Sequence, residues 1–140
     1  MNQTTCVFCS VIRGETAARV VLDEPHALAF LDHRPLFAGH CLLVPREHHE
    51  VLTDLPAALV EPLFTSAQRL ARAVEVGLSA EGSFIAMNNR VSQSVHHLHV
   101  HVVPRRKKDG LKGFFWPRTK YASDAEMAAV QAALVAALAG

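Results

Sequence analysis

Histidines are concentrated in one short stretch of the chain. Four of the nine histidines in this 140-residue sequence fall within HHLHVH, from His96 to His101. If this stretch is a β-strand, its side chains alternate between two faces. One face then carries a row of three imidazoles: His97, His99 and His101. The other face is apolar and suited to packing in a core: Leu98, Val100 and Val102.

Three interpretations of this row of imidazoles compete. The histidines can be incidental side chains on a solvated face. They can be metal ligands that hold a zinc-bound hydroxide, because histidine is a common zinc ligand. Alternatively, one neutral imidazole can act as a nucleophile while its neighbours set its tautomer and orientation. The alternation favours the second and third interpretations and leaves both open.

Two cysteines near the start of the sequence form a second cluster. Cys6 and Cys9 make a Cys-X-X-Cys motif, whose spacing suits tetrahedral zinc with nitrogen ligands from elsewhere. The segment PREHHE supplies His48 and His49 directly after an apolar run. A Cys2His2 site can take one of these histidines and one from the histidine strand. A chance pair of buried cysteines is the alternative.

The composition excludes several classes of function. The formal net charge is +1, which gives no electrostatic case for a nucleic-acid groove or an anionic membrane. No apolar stretch reaches the length of roughly 18 residues that a spanning helix needs. The first residues lack the pattern of a signal peptide. Three cysteines are an odd count, so we expect a cytoplasmic protein with reduced thiols.

The order of elements predicts an α+β fold in a single domain over residues 1–140. Residues 17–31 are typical of two strands around a turn, and three further strands are expected at CLLVP, SFIAM and VHHLHVHVV. Apolar residues recur at helical spacing from Pro56 to Val76. Ser123 and Glu126 form a capping-box pattern that starts a C-terminal helix. We therefore expect an antiparallel sheet of about five strands with one long central helix.

Several motifs together resemble the histidine triad (HIT) superfamily. The family signature alternates three histidines with apolar residues, and HLHVHVV from His97 to Val103 has this form. The lead-in QSV, the exit PR and the upstream segment FLDHRPLFAGHCLLVPREHHEVL also resemble the family, in the same order. The N-terminal CVFCSVIRGE is similar to its zinc-bearing members. The resemblance covers about residues 6–105, and the tail 106–140 lies outside it.

The resemblance implies a role for each matching position. It implies a structural zinc ion bound by Cys6, Cys9, His48 and His97. It makes His99 the nucleophile, with His101 and His97 supporting it in the catalytic row. It also implies contacts to ribose and phosphate by four polar residues: Asp32, Asn88, Gln93 and Ser94. His96 lies on the other face and is expected to be dispensable.

The implied activity is nucleotidyl hydrolysis or transfer. His99 would attack the α-phosphate of a purine nucleoside phosphoramidate or a dinucleoside polyphosphate, and water would then release a nucleoside monophosphate. The resemblance also implies a homodimer with one continuous sheet. A nucleotide-binding regulatory protein with vestigial turnover is the alternative function, and a zinc-hydroxide hydrolase is another.

Two segments depart from the family pattern. The loop NNRVSQ is short and lacks glycine, so the phosphate contact expected of Asn88 can fall to Asn89 instead. The tail segment GFFWPRTKY is aromatic and basic. It can line the outer part of a substrate, cover a dimer edge or pack locally.

Overall fold

The expected α+β fold is confirmed by the computed structural model, which describes residues 2–111 and 118–140. Its strands are β1 (Val20–Asp23), β2 (Ala27–Leu31), β3 (Cys41–Pro45), β4 (Gly82–Ala86) and β5 (Val100–Arg105). Its α-helices are α1 (Val7–Ile12), α2 (Ala57–Gly77) and α3 (Asp124–Leu138), with a short 3₁₀ helix at Leu52–Asp54. Each of the five strands overlaps a segment in which the alternation or an apolar run predicted one.

The five strands form one antiparallel sheet. Their order is β1-β2-β3-β5-β4, so β5 lies between β3 and β4 and carries the histidine segment into the middle of the sheet. β1 and β4 are the terminal strands. The consecutive strands β1, β2 and β3 are neighbours in the sheet: a three-residue turn joins β1 to β2, and the loop of residues 32–40 joins β2 to β3.

Helix α2 covers one face of the sheet. The helical periodicity predicted its buried side, and the core cluster contains Leu63, Ala67, Leu70 and Val74. They pack against strand residues that include Ala29, Leu43, Val100 and Val102. Burial of each large aliphatic side chain stabilises the fold by roughly 1.5–3 kcal/mol. This packing fixes the apolar face of β5 and turns the histidines to the opposite face.

A second apolar cluster lies around α1. Phe8 and Cys9 are buried with Phe30, Leu42 and Val44 of β2 and β3. The sequence did not predict α1, because six residues are too few to show a helical period. The Sγ atom of Cys6 caps the helix by accepting a hydrogen bond from the backbone N–H of Cys9 at 3.4 Å. The Cys-X-X-Cys motif therefore forms the first turn of a helix.

The histidine strand differs from its predicted bounds at both ends. β5 begins at Val100 rather than Val95, because the backbone N–H of Leu98 donates to the carbonyl of His49 in a loop. It continues through Pro104 to Arg105. Pro104 is tolerated because the ladder with β3 already ends at Val102, so the missing N–H faces no partner strand there.

The C-terminal residues form a separate unit. The chain divides into residues Met1–Lys107 and Lys108–Gly140, and the second unit contains α3. The predicted helix start is confirmed, because the Ser123 hydroxyl accepts a hydrogen bond from the N–H of Glu126 at 3.1 Å. Most of the aromatic part of GFFWPRTKY lies outside the described residues.

Within the part of the chain that the structure describes, none of the helices combines the length and apolar character that crossing a bilayer requires.

Gly39 offers a test of how the loop before β3 is held. Its φ is +100°, and a Cβ atom added there would collide with Cδ1 of Leu78, at the end of α2. We expect Gly39→Ala to lower the free energy of unfolding by about 1–3 kcal/mol, measured by urea denaturation. Gly82→Ala is the control, because an added Cβ there meets nothing within 4 Å. Equal stability of the two variants would contradict this account.

Candidate active site and metal centre

Two cysteines and two histidines from three parts of the chain meet beside α1. Cys6 and Cys9 come from the start of α1, His48 from the loop after β3, and His97 from the approach to β5. The Nδ1 atom of His97 lies 3.5 Å from both sulfur atoms, and Nδ1 of His48 lies 3.2 Å from Sγ of Cys9. One ligand atom from each residue lies within 4.8 Å of the other three.

This geometry fits a tetrahedral zinc ion. Typical zinc–sulfur and zinc–nitrogen bonds place S and N atoms about 3.5 Å apart across a tetrahedral edge, which matches the observed S···N spacings. His97 donates from Nε2 to the carbonyl of Pro45 at 2.8 Å, so its Nδ1 lone pair faces the cysteines. The neutral ring is therefore in the tautomer in which Nδ1 can bind a metal ion, and the hydrogen bond to Pro45 holds the ring in this orientation.

Burial sets the protonation of these groups. Burial, followed by the neighbouring Cys6, raises the pKa of Cys9 to about 11. Burial is also the main reason that the pKa of His97 falls to about 4. A neutral imidazole is the form that binds metal, and a bound cation favours loss of the thiol protons.

His49 faces away from this cluster. Its Nε2 atom lies 3.1 Å from a carboxylate oxygen of Glu47, and its backbone carbonyl accepts from Leu98. Of the two adjacent histidines, His48 is the one that the structure brings to the cysteines. Residue spacing alone left this choice open, because both residues follow the same strand end, and the family resemblance implied His48.

His99 lies on the same face as His97 and is 4% exposed. Its Nδ1 donates to the backbone carbonyl of His97 at 2.7 Å. In a neutral imidazole the other nitrogen, Nε2, then carries the lone pair. Burial lowers the pKa of His99, although that carbonyl and Asp32 oppose the shift. The ring is thus held neutral with one nitrogen available as a nucleophile.

His101 belongs to a chain of hydrogen bonds that runs through His40. The backbone N–H of Leu36 donates to Nδ1 of His40 at 3.1 Å, so the proton of the neutral His40 ring sits on Nε2. That nitrogen lies 2.9 Å from Nδ1 of His101 and donates to it. His101 therefore keeps its own proton on Nε2, where it is a hydrogen-bond donor.

The two imidazole rings in this chain of hydrogen bonds, His40 and His101, are neutral. Burial lowers the pKa of His40 against the pull of Asp32, whose Oδ2 lies 3.7 Å from Nε2 of His40. Burial, with His99 and His40 next in effect, lowers the pKa of His101 to about 4. Sequence reasoning gave His40 no role; its position just before β3, in the Gly-His pair, was the available signal.

The three triad histidines do not converge on one ion. His97 faces the cysteines, while the Nδ1 of His99 is occupied by a carbonyl and that of His101 by His40. The zinc-hydroxide interpretation needs all three as ligands, so the geometry gives it no support.

A cavity of about 990 Å³ opens in front of His99 and His101. Apolar side chains form much of its wall, among them Phe8, Val11, Phe30, Leu42 and Val95. Asp32 and Ser94, both predicted site residues, also line it. A cavity of this size, apolar with a few polar groups, suits a nucleoside-sized ligand.

Two residues with amide side chains, Asn88 and Gln93, were predicted to contact phosphate, with Asn89 as the alternative to Asn88. Gln93 is buried and connects its own loop to the segment after β3: its Nε2 donates to the carbonyl of Glu50 at 2.6 Å, and its Oε1 accepts from the N–H of Arg90 at 2.9 Å. Asn89 accepts from the N–H of Leu52 at 2.7 Å. Asn88 and Gln93 are not among the residues that line the cavity, and their contacts with phosphate stay predictions.

Comparison with known proteins finds similar sequences and solved structures among HIT proteins. An uncharacterised HIT-like protein of Mycobacterium tuberculosis is 39% identical over 108 residues, which cover 76% of this chain and 75% of that protein. Adenosine 5'-monophosphoramidase HNT1 of Saccharomyces cerevisiae is 32% identical over 108 residues, with 76% of this chain and 66% of the yeast protein covered.

A zinc-bound histidine triad family protein of Mycobacterium smegmatis has a similar solved structure, with a TM-score of 0.74, 35% identity and 99% of each chain covered. The model of the HIT domain matches residues 13–108, which is most of the chain. The histidine row, the cavity in front of it and these matches together mean that the chain belongs to the HIT family.

Proposed function

We propose that this protein is a nucleotidyl hydrolase that forms a nucleotidyl-histidine intermediate on His99. One observation carries the proposal: the 2.7 Å hydrogen bond from Nδ1 of His99 to the carbonyl of His97 leaves the Nε2 lone pair as the ring's reactive nitrogen. The residue lines the cavity and is held neutral by burial. A neutral imidazole with a fixed tautomer is an effective nucleophile near neutral pH.

His99 and His101 would then have different roles in the reaction. In the first step Nε2 of His99 bonds to the α-phosphorus, and the bond from phosphorus to the leaving group breaks. Nε2–H of His101 donates a hydrogen bond to the departing nitrogen or oxygen, which takes up a proton from the solvent. In the second step water attacks the phosphorus and loses a proton to the solvent, and the bond to His99 breaks. The products are a nucleoside monophosphate and a free imidazole.

The residues that line the cavity support a nucleoside as the part that all substrates have in common. Asp32 is the single carboxylate among the lining residues and can accept hydrogen bonds from ribose hydroxyls. The aromatic rings of Phe8 and Phe30 offer an apolar surface for a purine base. The similarity to the yeast adenosine 5'-monophosphoramidase supports an adenine nucleotide with a phosphoramidate or related leaving group.

The zinc ion is proposed as a structural cofactor. Its ligands would be Cys6, Cys9, His48 and His97, whose spacings fit a tetrahedral ion. The metal would join α1 to the start of the histidine segment. The similarity to the zinc-bound mycobacterial protein supports this assignment. A regulatory protein that binds nucleotides without useful turnover remains the second candidate, since the cavity serves either purpose.

Metal content tests the zinc site. We expect about one zinc per chain in protein purified without chelators, and Cys9→Ser should reduce the zinc content well below that level because it removes a thiolate ligand. Atomic absorption on the folded protein measures the ratio.

Two matched variants control this experiment. Cys41 is also buried but lies outside the cluster, and His49 lies next to His48 but faces Glu47. Cys41→Ser and His49→Ala should both retain the metal. Zinc loss in His49→Ala with zinc retained in His48→Ala would overturn the ligand assignment.

Turnover and adduct formation test the nucleophile. We expect His99→Ala to lower kcat by at least about a thousandfold, because removal of a nucleophile costs far more than removal of a binding contact. Nucleotide affinity should change little. The wild-type protein, incubated with adenosine and guanosine phosphoramidates and dinucleoside polyphosphates, should give a nucleoside monophosphate adduct on a peptide containing His99 by mass spectrometry.

His96→Ala is the matched control for this variant. His96 is exposed and is separated from the histidine row, so the substitution should leave turnover unchanged. An adduct on another residue, or wild-type turnover in His99→Ala, would reject the assignment. Nucleotide binding without release of monophosphate from any substrate would favour the regulatory protein.

A homodimer is proposed through β4 and α2. β4 is a terminal strand of the described sheet, and α2 exposes Val60 and Phe64 one turn apart. Pairing of β4 with a second copy would extend the sheet and cover these side chains. Each chain has a mass of 15.3 kDa, so light scattering should give twice that value. Phe64→Lys should shift the protein towards the monomer, and a monomeric wild type at micromolar concentration would refute the proposal.

A further inference from the structure

Charged side chains line part of the cavity in front of the histidine row. Asp32 is the carboxylate among them. The formal cations among the lining residues are Arg19 and Arg34. A phosphate compound that enters this cavity therefore meets these two guanidinium groups as its formal cations.

The fold brings the two arginines to the same end of the β1–β2 hairpin. Arg19 immediately precedes β1, and its carbonyl accepts a hydrogen bond from the N–H of Leu31, the last residue of β2. Asp32 follows directly, and its Oδ1 accepts from the N–H of Arg34 at 2.9 Å. The backbone N–H of Asp32 in turn donates to the carbonyl of His40. Both arginines are thus anchored through their backbones to the strands that carry the site.

Neither guanidinium group is neutralised by a carboxylate within the described residues. Other arginines of the same unit do have such partners: Arg13 with Glu15, Arg46 with Asp23, and Arg69 with Glu24. Arg19 and Arg34 border the cavity without one, and both are exposed. Their charges are therefore available to a ligand.

We propose that Arg19 and Arg34 form a second anion subsite, which binds a phosphate group of the substrate other than the one attacked by His99. The inference rests on the proposed function and adds that substrates with a second phosphate group bind more tightly than those with one. A guanidinium group presents paired donors that match phosphate oxygens. The second phosphate can belong to the ribose, beside Asp32, or to the leaving group of a dinucleoside polyphosphate.

Binding of two isomeric ligands distinguishes these sources. Adenosine 3',5'-bisphosphate and adenosine 5'-diphosphate carry the same number of phosphates, and only the position of the second phosphate differs. Isothermal titration with each ligand and with adenosine 5'-monophosphate gives the affinity gained from that phosphate. We expect at least one isomer to bind the wild-type protein about tenfold or more tightly than the monophosphate, as a charge-assisted hydrogen bond allows.

The double variant Arg19→Ala/Arg34→Ala should lose this gain, so that the ratio of affinities falls to about one. The control is Arg72→Ala, which removes an exposed arginine of α2 outside the cavity and should keep the ratio. A gain from the bisphosphate alone assigns the subsite to the ribose side, and a gain from the diphosphate alone assigns it to the leaving group. Equal gains that the double variant abolishes still support the subsite.

Three results would overturn the inference. These are isomers that bind no more tightly than the monophosphate, an unchanged ratio in the double variant, or an equal loss in Arg72→Ala. Failure of the proposed function is a separate outcome, because it appears as absent turnover or an absent His99 adduct. If adenosine 5'-monophosphate does not bind measurably, the affinities of the two isomers are compared directly between the wild-type protein and the double variant. The subsite then predicts that the double variant loses the binding that the wild-type protein shows.

Discussion

The site depends on how His97 is held. Its ring donates to the carbonyl of Pro45 through Nε2 and faces Cys6 and Cys9 through Nδ1, while its backbone carbonyl accepts a hydrogen bond from Nδ1–H of His99. His97 thus contacts both the cysteine cluster and the end of β3, and it also fixes the tautomer of His99, the next histidine in the row. A shift of this residue would move both clusters together, because the backbone between His97 and His99 is too short to absorb it.

Burial is the second constraint, and it explains why several histidines lie together without repelling each other. A charged imidazole loses its hydration in the interior, so the neutral form is favoured. Neutral rings have one donor and one acceptor, and a hydrogen bond at one nitrogen determines the role of the other. The carbonyl of His97 makes His99 an acceptor towards the cavity. His40 makes His101 a donor. Two neighbours of the same residue type thereby acquire opposite roles.

Much of the fold was predictable, because its signals are local. Alternation along VHHLHVHVV placed the histidines and the apolar residues on opposite faces, and the sheet keeps that division even where the assigned strand begins later. The spacing of Leu63, Leu70 and Val74 identified the buried side of α2. Helix α1 was missed, since six residues contain fewer than two helical turns and its stability comes from contacts with β2 and β3.

By itself the sequence determined which residue types are available and which of them share a face: three histidines in alternation, a pair of thiols, and an acidic residue after β2. These follow from periodicity, which is a property of neighbouring residues. Residue spacing left open whether His48 or His49 meets the cysteines, and the tertiary structure brings His48 to them. Only the tertiary structure decided that His40 sets the tautomer of His101 and that the amide of Gln93 connects its own loop to the segment after β3. Those choices depend on distances between segments far apart in the chain, which packing and hydrogen bonding fix only when the whole sheet has formed.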